Sequence, residues 1–165
     1  MARAQTTDFY HVMKYAIRIV TGGITGASDF QAGFNTASIP EINIEIAEYK
    51  EGVYLHRRKF PGDVTYSDLT LTKGVAKKNT AMFDWINATK NGEEYRVDLQ
   101  IAHFHRDDVV GLADFTTATP NRIINCFECT PMRVKPGSDM DALSSEVSIE
   151  EMDITLERME LSDSN

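Results

Sequence analysis

Residues 41–74 read EINIEIAEYKEGVYLHRRKFPGDVTYSDLTLTKG, and this stretch contains two runs of alternating apolar and polar residues. Ile42, Ile44 and Ile46 define the first run, while Leu69 and Leu71 define the second; both patterns are typical of strands with one apolar face. Six charged residues lie within positions 48–59, after the first run: Glu48, Lys50, Glu51, Arg57, Arg58 and Lys59. Because this segment has too little apolar surface for a buried core, we predict an arm that reaches toward another molecule.

The predicted arm extends from Glu48 to Lys59 and has an apolar tip at Val53, Tyr54 and Leu55. Pro61-Gly62 predicts a turn, because proline presets φ and glycine accepts positive φ. An isolated hairpin is marginally stable in water, so we expect a neighbouring molecule to order the arm. The expected partners of its basic residues are acidic positions near the end of the chain: Glu146, Glu150 and Glu151.

Length and composition favour one domain over residues 1–165, with enough sequence to bury a core. The polar segment Met1 to Asp8 is expected to be flexible, and it lacks the apolar centre of a signal peptide. No apolar run approaches the length of a membrane span. We therefore expect synthesis in the cytoplasm and no membrane insertion of the chain.

The net charge of −8 is located at the end of the chain. Residues 138–165 contain nine Asp or Glu and one Arg, whereas the remaining residues contain 16 of each sign. A nucleic-acid-binding surface requires clustered Lys and Arg in excess. This distribution therefore excludes a basic nucleic-acid footprint.

Alternating patterns predict further strands, and one segment has the period of a helix. The expected strands are Tyr10–Val20, Phe30–Ser38, Glu94–Phe104, Val109–Thr117, Arg122–Val134 and Glu146–Leu161. Met82, Trp85 and Ile86 recur at helical spacing within Lys77–Lys90, so this segment is expected to pack an apolar stripe on the core.

Two positions predict irregular strands. The apolar residues of the last strand change parity at Glu150-Glu151, which requires a bulge or bend there. Pro131 cannot donate to a strand ladder, so it predicts an edge or a bulge. The predicted fold is mainly β: two antiparallel sheets forming a sandwich or barrel, with one flanking α-helix.

Cys126 and Cys129 have the spacing of a redox or metal-binding motif. Within an extended strand, residues i and i+3 point to opposite faces, so we expect two ordinary reduced thiols. His103 and His105 share a strand face and can in principle chelate a metal. A small metal-binding or redox domain that uses these four residues is an alternative, but the sequence places no further ligand beside them.

Acid–base chemistry is not supported by the remaining motifs. Glu150 and Glu151 are consecutive in a strand and point apart, so they cannot act as one dyad. The sequence contains no glycine-rich phosphate loop and no nucleophile elbow. We therefore expect neither an enzyme nor a cofactor.

Several blocks resemble the tail-tube protein family of contractile phages, which also supplies the inner tube of phage-like contractile injection systems. They are Glu48-Tyr49-Lys50-Glu51-Gly52, Lys59-Phe60-Pro61-Gly62 and Leu69-Thr70-Leu71-Thr72-Lys73-Gly74. The segment Ser144-Ser145-Glu146-Val147-Ser148-Ile149-Glu150-Glu151-Met152 is similar to that family's closing strand. The order and spacing of the blocks agree with the family, and the resemblance spans Tyr10 to Leu161.

The resemblance implies a structural subunit of an inner tube. In this family six copies form a ring, sheets of neighbouring subunits join into a continuous inner barrel, and stacked rings form a hollow tube driven by a contractile sheath. The implied partners are further copies of the chain, the sheath protein, the baseplate hub or spike, tube-terminating proteins, and DNA or protein cargo in the lumen. The expected location is a phage tail or a phage-tail-like particle, either a virion or a secreted particle.

An initiator or adaptor paralogue, which joins the tube to the baseplate hub, is the alternative within the family. The polar extension before Tyr10 and the small-residue segment Thr21–Ser28 leave this alternative open. In either role, the following residues are expected at subunit or ring interfaces: Glu48, Lys50, Glu51, Arg57, Arg58, Lys59, Pro61, Gly62, Glu146, Glu150 and Glu151.

Overall fold

A computed structural model describes residues 14–21, 34–53, 55–77, 79–93, 95–104 and 122–163. Its strands are β1 (Tyr15–Thr21), β2 (Phe34–Ala37), β3 (Ile42–Tyr49), β4 (Arg58–Tyr66), β5 (Leu69–Gly74), β6 (Val97–His103), β7 (Arg122–Lys135), β8 (Ile149–Thr155) and β9 (Arg158–Asp163). The helix α1 (Ala81–Asn91) lies between β5 and β6. The predicted strand Val109–Thr117, the expected flexible segment Met1 to Asp8, Tyr54 and His105 lie outside the described residues.

The strands form two antiparallel sheets. The larger sheet has the order β1-β6-β7-β8-β5-β2, and β9 pairs with β7 beside this path. β3 and β4 form a separate two-stranded sheet. The described part of the chain is therefore mainly β with one helix, as predicted. The larger sheet is open between β1 and β2, so the barrel form of the prediction does not apply to the subunit.

A bulge in β7 bends the larger sheet. The first part of β7 pairs with β6 and β9, whereas its last part pairs with β8 from Thr130 onward. Between these parts Glu128 has a φ of 54°, and the register with β6 shifts between Val97 and Leu99. The Glu128 backbone N–H donates to Asp98 Oδ1 at 3.0 Å. The bend lets both parts of the sheet cover one core.

As predicted, β7 is also irregular at Pro131. Pro131 pairs with Ile154, whereas Arg133, two residues later, pairs with Asp153, so Met132 is the extra residue of a bulge. Proline has no N–H to donate, and a bulge tolerates that loss.

The predicted closing strand is two strands, β8 and β9, which run along the same edge of β7. They are interrupted at Leu156 and Glu157, opposite the β7 bulge. The bulge expected at Glu150-Glu151 is wrong, because β5 and β8 pair without a register shift over their whole length. The parity changes because Ile149 is exposed while Glu150 occupies a core-facing position.

Pro61-Gly62 does not form the predicted turn. Both residues lie inside β4, where Pro61 pairs with Ile46 and the register shifts between Ile44 and Ile46. A Cβ atom on Gly62 would lie 3.1 Å from the carbonyl oxygen of Glu45, so this close backbone approach favours glycine. The chain reverses instead in the residues between β3 and β4.

The helix α1 packs the predicted apolar stripe on the larger sheet and is shorter than predicted. Met82 and Trp85 are fully buried, and Trp85 Nε1 donates to the backbone oxygen of Tyr95 at 2.6 Å. Gly92 ends the helix with a φ of 73°, the left-handed conformation that glycine adopts without strain. Trp85 is therefore a core residue, as expected.

The hydrophobic core joins both parts of the larger sheet to α1. Its members are Ile17, Leu69, Leu71, Met82, Trp85, Val97, Leu99, Ile101, Cys126, Cys129, Met152, Ile154 and Leu156. None of them belongs to β3 or β4. The two-stranded sheet is therefore positioned by its connections to β2 and β5 and by Tyr66, at the end of β4, which packs against the core.

Candidate functional site

We call β3, β4 and the residues that connect them the arm hairpin. Its strands make extensive contacts only with each other among the described helices and strands. Ile42, Ile44, Ile46 and Val64 lie on one face, and their side chains remain 50–52% exposed. The structure has a hairpin here, but its second strand is β4, because the run at Leu69 and Leu71 belongs to β5 and pairs with β2 and β8. The arm hairpin carries an apolar face that its own subunit leaves half uncovered.

Two ion pairs connect the strands of the arm hairpin near its tip. Glu48 Oε2 lies 2.9 Å from Arg57 Nη1, and Glu48 Oε1 lies 3.7 Å from Lys59 Nζ. All three side chains are more than a third exposed, so each pair contributes only about 0–1 kcal/mol. The expected interface residues Lys50 and Glu51 are also exposed beside this pairing. The arm hairpin thus presents its own charges on a surface that water reaches.

Glu150 is an interior residue of the subunit, whereas the sequence predicted it at an interface. It pairs directly with Lys73 across β5 and β8, and Lys73 Nζ lies 3.0 Å from Glu150 Oε1. Lys73 also donates to Asn79 Oδ1 at 3.0 Å. Both charged residues are nearly fully buried, although Glu150 Oε1 accepts no well-directed hydrogen bond. A buried charge is tolerated when it is paired, and this pairing keeps Glu150 inside the subunit.

Glu151 lies on the other face of β8, so the two glutamates point apart, as predicted. Arg133 contacts Glu151 and donates to Asp153 Oδ2 at 2.6 Å, while Thr70 Oγ1 donates to Asp153 Oδ1 at 2.9 Å. Burial tends to raise the pKa of Asp153, but the hydrogen bonds from Arg133 and Thr70 outweigh it and lower that pKa. Glu151 therefore belongs to a polar cluster of its own subunit.

Glu146 differs from the other two expected acidic partners because it remains exposed. It lies in the connection between β7 and β8, which is shaped by local hydrogen bonds. The Ser138 backbone N–H donates to Ser148 Oγ at 3.1 Å, and the Ile149 backbone N–H donates to Ser138 Oγ at 3.0 Å. These bonds close the two ends of the connection and leave its middle in water.

Cys126 and Cys129 face the same core, contrary to the prediction. The bulge at Glu128 adds a residue between them, so they pair with Leu99 and Val97, which share one face of β6. Both cysteines are free and fully buried. The hydrogen bond between the thiols lowers the pKa of Cys126, and the same bond together with burial raises the pKa of Cys129.

His103 is not brought together with these thiols. It lies four residues beyond Leu99 on β6, a separation of about 13 Å in an extended strand, and pairs with Tyr15 and Arg122. Among the described residues, no group of three His, Cys, Asp or Glu side chains could hold a metal ion. The described residues therefore bring together no three-ligand metal site, and they place Cys126 and Cys129 side by side as free thiols.

The residues around His103 line a cavity of about 690 Å³. Its walls include Phe34, Ile101 and Ile124, and Tyr15 Oη donates to the backbone oxygen of Phe34 at 3.1 Å. Burial raises the pKa of Tyr15. The described lining is mainly apolar, with polar groups that include Tyr15, His103 and Arg122.

Lys73 is the residue that sequence reasoning missed. Leu69, Leu71 and Lys73 share one parity, and so do Glu150, Met152 and Ile154. Lys73 ends the first run and Glu150 begins the second. In an antiparallel pair the end of one strand lies opposite the start of the other, so these opposite charges indicate that the two strands pair. That signal places Glu150 in the interior without a bulge.

Comparison with solved structures identifies proteins that share this fold. A chain in the extended-state sheath/tube terminator of the extracellular contractile injection system PVC has a TM-score of 0.74 and 22% identity, over 95% of this chain and 99% of that chain. A chain in the extended-state PVC sheath-tube complex has a TM-score of 0.74 and 21% identity, over 98% and 95%. A chain in the baseplate of the anti-feeding prophage has a TM-score of 0.75 and 13% identity, over 96% and 98%.

Sequence comparison adds the family. No curated protein matches the chain. The sequence pattern described as T4-like virus tail tube protein gp19 matches residues 12–160, which include every strand and the helix except the end of β9. The chain belongs to the T4-like virus tail tube protein gp19 family.

Proposed function

We propose that the chain is a structural subunit of the inner tube of a contractile tail or phage-like contractile injection system. Six copies form a ring, and stacked rings enclose a lumen. The arm hairpin carries this proposal. A two-stranded sheet is marginally stable in water, and this one exposes an apolar face outside the core. A neighbouring copy of the chain would cover that face.

The edges of the larger sheet support the same assembly. β1 and β2 end the path of paired strands, so each has one side without a partner strand in the described structure. Exposed edges promote pairing between chains, and proteins that need such pairing use them as interfaces. Joining β1 and β2 of neighbouring subunits would extend six open sheets into one closed inner surface.

A tube-end role is the second candidate, because similar chains occur in structures of a sheath/tube terminator and a baseplate. A tube-body protein forms every ring along the tube, whereas an initiator or terminator forms a single ring at one end. The amount of this chain relative to sheath protein in a purified particle distinguishes these roles. Near-equal amounts support the tube body, and a large deficit supports an end protein.

The proposed tube implies which molecules each of its surfaces would contact. The outer surface would face sheath protein, the two ends would meet baseplate and terminating proteins, and the lumen would admit DNA or protein cargo. The particle would be a phage tail or a related extracellular particle. Within the described residues, no helix has the length and apolar character that crossing a membrane requires.

Negative-stain electron microscopy with native mass spectrometry tests the proposed assembly. The expected species are rings of six times 18.5 kDa and hollow tubes built from them. Rings with another copy number, or solid aggregates without a lumen, would argue against an inner tube.

A further inference from the structure

Two thiols lie side by side in the core of the larger sheet, next to its bend. Cys126 pairs with Leu99 and Cys129 pairs with Val97, two residues away on β6. Both cysteines are fully buried and belong to the hydrophobic core. They are the only cysteines of the chain, and both are free thiols. The protein therefore places all of its thiols at one interior position.

The bulge at Glu128 brings the two thiols to the same face. In a regular strand, residues three apart point to opposite faces. Glu128 instead has a φ of 54°, which a residue with a Cβ atom adopts at a steric cost. Its backbone N–H donates to Asp98 Oδ1 at 3.0 Å, which holds the bulge in place. One result of this costly backbone conformation is a pair of adjacent thiols.

The separation of the two cysteines fits a disulfide. Their partners Val97 and Leu99 are about 6–7 Å apart at Cα in an extended strand, so Cys126 and Cys129 have a similar separation. Disulfides join Cα atoms that are up to about 6.8 Å apart. The two thiols also form a hydrogen bond with each other. A bond between the two sulfur atoms therefore requires only a small adjustment of the bulge.

We propose that Cys126 and Cys129 are an oxidation site, at which a small peroxide converts the two thiols into a disulfide across the bulge of β7. A small oxidant suits the site because both side chains lie in the interior. A bulge interrupts the strand ladder, so local opening of β7 can admit such a molecule. The inference concerns the subunit itself and does not depend on the proposed tube.

The surroundings of the two thiols assign a different role to each. The hydrogen bond from Cys129 lowers the pKa of Cys126 even though burial opposes this shift. The same hydrogen bond, together with burial, raises the pKa of Cys129. Because the thiolate is the form that reacts with peroxides, Cys126 attacks first and Cys129 reacts second.

The oxidation has two steps and consumes one molecule of hydrogen peroxide. The Cys126 thiolate attacks one peroxide oxygen, so an S–O bond forms, the O–O bond breaks, and the departing hydroxide becomes water with the proton that Cys126 has lost. The Cys129 sulfur then attacks the sulfenic sulfur. The S–S bond forms, and the hydroxyl group leaves with the Cys129 proton as a second water. The two sulfur atoms together lose two electrons, and the peroxide gains them.

Peroxide treatment of the folded full-length chain tests the site. Remaining thiols are alkylated in denaturant, and mass spectrometry follows the tryptic peptide 123–133, which contains both cysteines. The expected peptide has lost two hydrogen atoms, carries no alkyl group and regains both thiols after reduction with dithiothreitol. Met140 monitors the peroxide dose, because its side chain is 92% exposed and oxidises to a sulfoxide.

Two single variants separate the roles of the thiols. Cys129→Ser keeps a hydrogen-bond donor beside Cys126 but cannot form the disulfide, so Cys126 should stop at a sulfenic acid that dimedone traps. Cys126→Ser is the matched control, and its remaining thiol should react at least about tenfold more slowly. Circular dichroism shows whether each variant is folded. If neither variant folds, the wild-type measurement decides by itself.

A reversible disulfide within the folded wild-type chain supports the site. Two thiols that are still alkylated after Met140 is fully oxidised would overturn it. Conversion of either cysteine to a sulfinic acid without a disulfide would overturn it as well, and so would a disulfide that forms only in denaturant.

Discussion

Lys73 Nζ lies 3.0 Å from Glu150 Oε1, and only 3% and 6% of these two side chains are exposed. Lys73 and Glu150 face the core near the end of the β5–β8 ladder. They are the next pair on the face that Leu71 and Met152 share, two residues farther along each strand. Removing either charge would leave the other buried without compensation. The pair therefore favours the observed register of β5 against β8, because a slip of either strand by one residue would move its charge to the opposite face and leave the other charge buried alone.

Replacing Lys73 by Met should lower the free energy of unfolding by about 3–5 kcal/mol, because the Glu150 carboxylate would remain buried without its partner. The double variant Lys73→Met with Glu150→Leu should recover most of that loss. Urea unfolding of the two single variants and the double variant measures the coupling. The control Glu48→Gln removes exposed ion pairs and should cost at most about 1 kcal/mol. A loss below about 1 kcal/mol for Lys73→Met would contradict a functioning buried pair.

Glu128→Gly should be more stable than Glu128→Ala by about 1 kcal/mol, because only glycine adopts a φ of 54° without a steric cost. Both substitutions remove the exposed contact with Arg96, so their difference isolates the backbone. At Ile123, in the regular part of β7, the order should reverse and alanine should be favoured. Thermal unfolding of the four variants provides the comparison. A more stable alanine variant at both positions would argue that β7 has no left-handed residue.

Replacing Cys126 and Cys129 by Ala should cost about 1–3 kcal/mol in packing and leave assembly intact, because both thiols are buried and uncrosslinked. Serine should cost more at both positions, since its hydroxyl would be buried in the apolar core. Thermal unfolding, thiol titration in denaturant and electron microscopy check these expectations. A metal ion lost on substitution would show that the thiols have a binding role instead.

Asp153 should make stability depend on pH in the acid range. Its pKa in the folded protein is lowered from the ordinary value of 3.8, so the unfolded state takes up the proton first. Its contribution is present above pH 3.8 and is lost as the pH falls through the lowered pKa. Asp153→Asn should flatten this part of the stability profile. Equal profiles for wild type and Asp153→Asn would contradict the pairing with Arg133.

The sequence predicted the elements that present one face to the core. Ile17, Leu71, Leu99 and Trp85 each belong to a periodic pattern, and each is fully buried. Periodicity works for these elements because burial alternates with the strand or recurs with the helix. The arm was also predictable, since the run of charges in residues 48–59 cannot form a core.

The remaining features depend on residues that are distant in sequence. β4 is a strand because it pairs with β3, and its Pro61-Gly62 occupies a bulge that local composition presents as a turn. The bulge at Glu128 contains no glycine that would indicate it in the sequence. The sequence therefore did not predict that Cys126 and Cys129 point to the same face. The change of parity at Glu150 predicts a bulge when β8 is considered alone. The pattern of one strand does not show that Lys73 on β5 pairs with Glu150.

A cryo-electron microscopy reconstruction of the assembled chain would show directly whether the chain forms an inner tube. The expected result is a hollow tube of stacked six-membered rings in which the arm hairpin of every subunit is ordered against a neighbouring copy. In that map the apolar face at Ile42, Ile44 and Ile46 is covered by another subunit. A particle in which this chain lies outside the tube, or rings in which the arm hairpin contacts no other copy, would contradict the account.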